Sequence, residues 1–294
     1  MDQITSASPA DFHRVRSRLR DGQSVFTDFG SEDLTALLTD GVAVLGSTAS
    51  VDWGALLIQR RRQAGVMPAP TLAMLRGLAL GRGRSALQDV PRLVRAAGEV
   101  LGANDVLQVV LYATDAWTIT PLIQAGFEIE DRLLFLALTN LQQRKLSPPD
   151  ASSASIKLRA AQPDDVAGLV QLDAAAFDPI WRLNESELMT LLLSGRLQVA
   201  EQDDMLLGYT ALSIQGEETA HLARLSVHPA AQGLGIGRTL LHDVVVYARQ
   251  RLVTNFLLNT QGKNERAQNL YRAYGFRSAG KVVPVLTRTL GRGT

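Results

Sequence analysis

The stretch His228-Pro229-Ala230-Ala231-Gln232-Gly233-Leu234-Gly235-Ile236-Gly237-Arg238 leaves the apolar run 222–227 and reads as a strand, a tight glycine turn and a helix beginning near Arg238. Glycine tolerates positive φ and lets backbone come close to a guest, so Gly233, Gly235 and Gly237 suit a turn folded around a ligand. The N–H groups of such a turn and of the first helical turn converge, and they favour an anion. A pyrophosphate meets that description. A Walker loop does not, because it ends in Gly-Lys-Ser/Thr and here Gly237 is followed by Arg238 and Thr239. A dinucleotide fingerprint fails too: counted from Gly233 or Gly235, its last small residue falls on Arg238 or Leu240. What stands is Gln232-x-x-Gly235-x-Gly237. With no ligand, the same residues would be a plain strand–helix connection.

A second segment, Asn264-Glu265-Arg266-Ala267-Gln268-Asn269-Leu270-Tyr271-Arg272-Ala273-Tyr274-Gly275-Phe276, follows the strand-like 256–260. Asn264 suits an N-cap and Gly275 the left-handed residue that ends a helix. Asn264 and Tyr271 stand two turns apart and share a face. The two segments together resemble the acetyl-CoA loop and the Asn-x-x-Ala…Leu-Tyr…Gly-Phe segment of the GCN5-related N-acetyltransferases (GNAT), over about 156–290. The resemblance implies an α+β fold, a mostly antiparallel, V-splayed sheet flanked by helices, and acetyl-CoA as cofactor. It implies that Leu225, Ser226 and Val227 bond the pantetheine arm through their backbone. It implies that Gln232, Gly233, Leu234, Gly235, Ile236, Gly237, Arg238 and Thr239 surround the pyrophosphate, that Asn264 and Ala267 meet the cofactor, and that Tyr271 lies beside its sulfur.

The composition is that of an ordinary packed protein. Of 294 residues, 46% are hydrophobic and the net charge is +1, so nothing draws the chain toward nucleic acid or a membrane surface. The N-terminus is polar, and apolar runs such as 106–113 and 133–138 are too short to span a bilayer. A cytoplasmic location is the expectation. No cysteine is present, which excludes disulfides, thiolate metal sites and a cysteine acyl-enzyme. No metal site is expected.

The chain is expected to divide into a domain over 1–145, a Pro- and Ser-rich linker over 146–155 and a domain over 156–294. In the second domain strands are predicted over 156–159, 197–201, 205–214, 220–227, 255–260 and 282–289, with helices over 164–177 and 185–193, from near Arg238 to about Arg251, and from Asn264 to Gly275. The first domain reads as a worn copy of the second. Aligning Gly126-Phe127 with Gly275-Phe276 sets 72–80 opposite 221–229 and 109–113 opposite 258–262. Gly83, Ala86 and Gln88 then stand opposite Gln232, Gly235 and Gly237, and Asp115 and Leu122 opposite Asn264 and Tyr271. The first copy has lost the loop and the tyrosine, and acetyl-CoA is expected to bind once per chain. Its Gly81-Arg82-Gly83-Arg84-Ser85-Ala86 matches Gly-x-Gly-x-x-Ala but lacks a well-placed acidic residue. It is a connecting loop, or a residual phosphate site with Arg82 and Arg84 as counter-charges. Arg60-Arg61-Arg62 reads as a solvated strand end.

Acetyl transfer to an amine needs a neutral amine, a donor to the oxyanion and a proton for the departing thiolate. The resemblance assigns the oxyanion to the N–H of Val227 and the proton to Tyr271; read without it, Tyr271 is a core aromatic, and Tyr274 is a poorer substitute. A base is carried by some relatives five residues before the capping asparagine, here Asn259, which takes no proton. Other relatives carry it eleven residues before the loop, here His221. Strand alternation sets His221 on the face of residues 223, 225 and 227, which carries the thioester in the family. The alternative is a strand-end histidine facing solvent, with Glu201, Glu217 or Glu218 acting through water. His228 reads as structural, and His13 and His242 as surface residues. The stretch Ala175-Ala176-Phe177-Asp178-Pro179-Ile180-Trp181 occupies the region where the family builds its acceptor pocket, and loosely resembles the Phe-x-x-Pro-Trp segment of enzymes that acetylate ribosomal-protein N-termini. The tandem layout is similar to that of mycothiol synthases, in architecture alone. A small amine or a peptide N-terminus is the expected acceptor; the other class is a domain that binds coenzyme A as a sensor without turnover.

Overall fold

The structure, a computed structural model, describes residues 2–29, 33–61, 71–102, 105–146 and 156–292. The chain runs β1 (Gln3–Ser6), α1 (Phe12–Asp21), β2 (Ser24–Thr27), α2 (Leu34–Asp40), β3 (Val42–Ser47), β4 (Asp52–Arg60), β5 (Thr71–Leu80), α3 (Ala86–Glu99), β6 (Val106–Tyr112), α4 (Ile119–Gln124) and β7 (Glu128–Leu138). It then runs β8 (Lys157–Ala160), α5 (Val166–Ala176), α6 (Glu185–Ser194), β9 (Arg196–Gln202), β10 (Met205–Gln215), β11 (Thr219–Val227), α7 (Ile236–Gln250), β12 (Asn255–Gln261), α8 (Glu265–Tyr274) and β13 (Arg277–Gly291). Each element of the second series has a counterpart in the first, and β2 is the extra one. The expected tandem α+β fold is what the chain builds.

Local chemistry sets the element ends. Asp203 and Asp204 take φ of 49° and 60°, as a two-residue hairpin requires. Asn184 and Glu187 exchange side chain–backbone bonds of 2.9 and 2.8 Å and start α6. Helix α8 ends at Gly275, φ 110°, where the Phe276 N–H reaches the Tyr271 carbonyl at 2.9 Å. The first copy repeats the device: Gly126 takes φ 83° and the Phe127 N–H reaches the Leu122 carbonyl at 3.0 Å. That match makes Leu122 the counterpart of Tyr271.

Two compact units form, Met1–Arg132 with Val283–Thr294, and Leu133–Val282. They do not divide at the expected linker, of which 147–155 lie outside the described residues, as does Arg62. The last strand of each copy is the reason. The end of β7 pairs with β12, from Leu138↔Phe256 to Leu133↔Gln261. The end of β13 pairs with β6, from Val285↔Tyr112 to Gly291↔Val106. In the second unit the strand order is β7-β12-β11-β10-β9-β8, antiparallel except for β11 beside β12. One face carries a core under α7 and α8 with Leu212, Leu222, Leu241, Val244, Phe256 and Tyr271. The other carries a core under α5 and α6 with Leu169, Leu188, Val199, Tyr209 and Ala211.

Candidate active site

Strands β11 and β12 pair only from Thr219↔Asn255 to Leu222↔Leu258, after which β11 continues without β12. This is the expected splay. Along its other edge β11 stays on β10, to Val227↔Gly208, and the His228 N–H reaches the Leu207 carbonyl at 2.8 Å. In an antiparallel ladder every second residue bonds the partner, so the backbone groups of Ser226 turn toward β10 and those of Leu225 and Val227 toward the open edge. Backbone bonding at the open edge is thus available to Leu225 and to the Val227 N–H, the Val227 carbonyl accepting from Gln232 Nε2 at 3.1 Å, and the expectation for Ser226 is corrected. The Ser226 hydroxyl is buried and has no partner among the described residues.

The glycine turn follows directly. Gly233 and Gly235 take φ of 89° and 81°, and Gly235 is the N-cap of α7. The helix starts at Ile236, two residues before the expected Arg238. Gly237 is helical, and a Cβ there would stand 3.5 Å from Leu270, 3.7 Å from Val227 and 3.9 Å from Leu225. These are ordinary contacts, so neither a positive φ nor lack of room requires glycine at this position. The Gln232 side chain holds the turn: its amide nitrogen donates to the Val227 carbonyl at 3.1 Å, and its oxygen accepts from Arg266 in the first turn of α8. The N–H groups of Arg238 and Thr239 both bond the Gly235 carbonyl at 3.0 Å, so they serve the cap. Gly233, Leu234 and Gly235 are exposed, and with Ile236 they begin the N-terminus, where helix geometry leaves N–H groups without intrahelical partners.

Asn264 is an N-cap, its Oδ1 accepting from the Ala267 N–H at 3.0 Å. Ala267 and Leu225 both pack against the core that contains Tyr271. Tyr271 is buried edge-on to Phe276, ring centroids 5.9 Å apart, and burial pushes its phenol well above the usual value. It is a core aromatic that stays protonated, in the same core against which Leu225 packs. Tyr274 is half-buried, and its hydroxyl lies 3.0 Å from His242 Nδ1. His242 is therefore a partly exposed residue that also bridges α7 to α8. His228 is structural as expected, its Nδ1 accepting from the Ala230 N–H at 3.3 Å.

The expected face of His221 is overturned by a β-bulge. Arg224 pairs with Ala211 and Leu222 with Leu212, so Ala223 has no opposite residue. One extra residue reverses the alternation. Leu222 and Leu225 both pack on the α7–α8 core, which leaves His221 on the face of Arg224, under α5 and α6. There His221 Nε2 stands 3.3 Å from Asn259 Oδ1, so the two positions at which relatives carry a base meet. An amide oxygen only accepts, which places the proton on Nε2 and the lone pair on Nδ1. Burial holds the imidazole below its ordinary value, with the Asn259 bond opposing. Glu201 is not a free base: Lys157 and Arg159 bond it at 2.9 and 2.6 Å and hold it below the usual carboxylate range. Glu217 and Glu218 lie in the turn at the opposite end of β11, about 30 Å from Val227 at ~3.3 Å per residue.

Residues 166–276 match the model of the "Acetyltransferase (GNAT) family". The chain is 26% identical over 174 residues to a mycothiol acetyltransferase of Renibacterium salmoninarum, covering 52% of each. It is 34% identical over 84 residues to the N-alpha-acetyltransferase RimI of Mycobacterium tuberculosis, covering 28% of this chain and 51% of that one. It thus spans about half the length of these relatives. A tandem GNAT protein from the clavulanic acid biosynthesis pathway has the same fold, with TM-score 0.61 and 15% identity over the whole of both chains. No helix among the described residues is long and apolar enough to cross a membrane.

Proposed function

The chain belongs to the GCN5-related N-acetyltransferase superfamily, and from that premise we propose that its second unit moves an acetyl group from acetyl-CoA to a primary amine by direct attack. The observation that carries this reading is the early end of the β11–β12 pairing at Leu222↔Leu258, followed by an exposed glycine turn that starts α7 at Gly235. Acetyl-CoA supplies the thioester. The open edge at Leu225 and Val227 bonds its pantetheine arm, and the turn from Gly233 to Ile236 takes its pyrophosphate. Arg238 adds an exposed positive charge at the same helix start. The Val227 N–H stabilises the oxyanion. Tyr271 keeps its proton because of its burial, and gives it to the leaving sulfur. His221, neutral at pH 7, takes the amine proton through water, because it stands four residues from Leu225 and on the other face.

The names of the two relatives support an amine of a small molecule or of a protein N-terminus as acceptor. The test is consumption of acetyl-CoA with a panel of small amines, aminoglycosides and peptides with free N-termini, alongside calorimetric titration of acetyl-CoA. Binding with turnover on one class of the panel supports the reading. Binding without turnover on any amine would favour a coenzyme A sensor, and no binding would end both.

A further inference from the structure

Beneath α5 lies a charged group with no part in the chemistry above. Asp173 is completely buried, and Arg224 retains 10% of its side-chain exposure. Arg224 Nε and Nη2 donate to the two Asp173 oxygens at 2.8 and 2.5 Å, and the Tyr209 hydroxyl donates to Oδ1 at 2.5 Å. Burial, with the Asp173 carboxylate beside it, pushes the Tyr209 phenol upward, so it stays a donor. A buried ion pair is costly to desolvate and is weak grounds for stability by itself. Its remaining bonds show what it holds. Arg224 Nη2 also donates to the Trp181 carbonyl at 2.8 Å, and its guanidinium lies 3.5 Å from the centre of the Phe177 ring. The Leu183 N–H donates to Asp173 Oδ2 at 2.8 Å. Within the held segment, Arg182 Nε donates to the Phe177 carbonyl at 2.9 Å. The irregular chain between α5 and α6 is thereby tied, at three points, to one residue of β11 and one of α5.

Arg224 is the residue before Leu225, on the β11 face that also carries His221. The opposite face is closed by the α7–α8 core and Tyr271. If the thioester lies along the open edge at Leu225 and Val227, the amine approaches from the Arg224 face, which residues 177–183 cover. We propose that Arg224 and Asp173 are positioning residues, which hold the segment 177–183 over β11 and so set where the amine stands relative to the thioester. The inference rests on the proposed acetyl transfer. Arginine is required by it: one guanidinium makes a two-point carboxylate contact, a carbonyl bond and a ring stack, which a lysine ammonium does not reproduce.

The experiment compares wild type with Arg224→Lys and with the paired Arg224→Met/Asp173→Leu. The pair removes both charges together, because a lone buried charge would endanger folding. Acetyl-CoA affinity is read by calorimetry, and acceptor KM and kcat with the fastest amine of the panel. Native-state trypsin cleavage after Arg182 is read without any acceptor. Both variants are expected to bind acetyl-CoA within about twofold of wild type, to raise acceptor KM about tenfold or more, and to be cut after Arg182 where wild type is not. The paired variant should do so with a melting temperature near wild type. Unchanged acceptor KM, or loss confined to acetyl-CoA affinity, overturns the positioning role. Failure of wild type itself to bind acetyl-CoA would instead remove the reading on which the inference rests.

Discussion

Strand β5 of the first unit and strand β11 of the second begin alike and end differently. Both pair in parallel with the next strand for four residues, β5 with β6 from Thr71↔Leu107 to Met74↔Val110, and both then diverge from it. In the second unit the edge so released stays open at Leu225 and Val227. In the first unit β2 lies on it, from Ser24↔Leu80 to Thr27↔Gly77, with the Gln23 N–H on the Leu80 carbonyl at 2.8 Å. The helix starts differ in the same sense. At α3 the buried Asp89 carboxylate accepts from the Ser85 N–H at 3.1 Å and from Arg84 and Arg92 at 2.6 and 2.8 Å. Arg84 also bonds Asp2 and stacks 4.0 Å from the Trp53 ring centre. The Arg84 charge is thus already answered, which corrects the reading of this loop as a residual phosphate site with Arg84 as a free counter-charge. At α7 the turn offers N–H groups and no carboxylate. One fold therefore keeps its splay in two ways: filled by its own chain, or left for a partner.

The largest effect expected from breaking this contrast is at Gly235. Wild type should bind one acetyl-CoA per chain, and Gly235→Asp should weaken binding on the order of a hundredfold or more, through a strained positive φ and a carboxylate where the anion belongs. Calorimetry decides it: a stoichiometry of two in wild type, or one surviving site in the variant, would mean that β2 and Asp89 leave room for a cofactor. Next is Tyr271→Phe, which preserves the packing on Phe276 and removes the proton. The kcat should fall by about 10²–10⁴ with little change in acetyl-CoA affinity, and stopped-flow turnover at the wild-type rate would refute the donor role.

His221 should act through pH. A base works deprotonated, and burial lowers its pKa, so kcat/KM should rise with pH through a group below 6.5, apart from a second, higher rise where the amine acceptor itself loses its proton. His221→Ala should abolish that acid limb; its persistence would leave the amine to lose its proton to water. The smallest effect on catalysis is expected at Asp89→Asn in the first unit. Acetyl-CoA affinity and kcat should remain at wild-type values, while stability falls by about 1–3 kcal/mol as Arg84 and Arg92 lose a buried carboxylate. A change in acetyl-CoA affinity in that variant would contradict the separation of roles between the two units.

Local chemistry by itself determined much of this protein. Residues Gln232 to Gly237 and Asn264 to Gly275 specify a turn, two helix starts and a left-handed stop through short-range preferences for φ and capping, and the structure has all of them, with the first helix starting two residues earlier than expected. The repeat was legible for the same reason, since Gly126 and Gly275 end their helices with the same pair of bonds. What depends on neighbours distant in sequence was decided only by the tertiary structure. The bulge at Ala223 comes from fitting β11 to β10, and a single extra residue turned His221 to the other face, which alternation within one strand does not report. The exchange of pairing partners by β7 and β13 moved the unit boundaries away from the Pro- and Ser-rich stretch. Asp173 and Arg224 stand 51 positions apart. In the sequence each is an isolated charge on an apolar element, and only folding gives each the counter-charge that makes its burial tolerable.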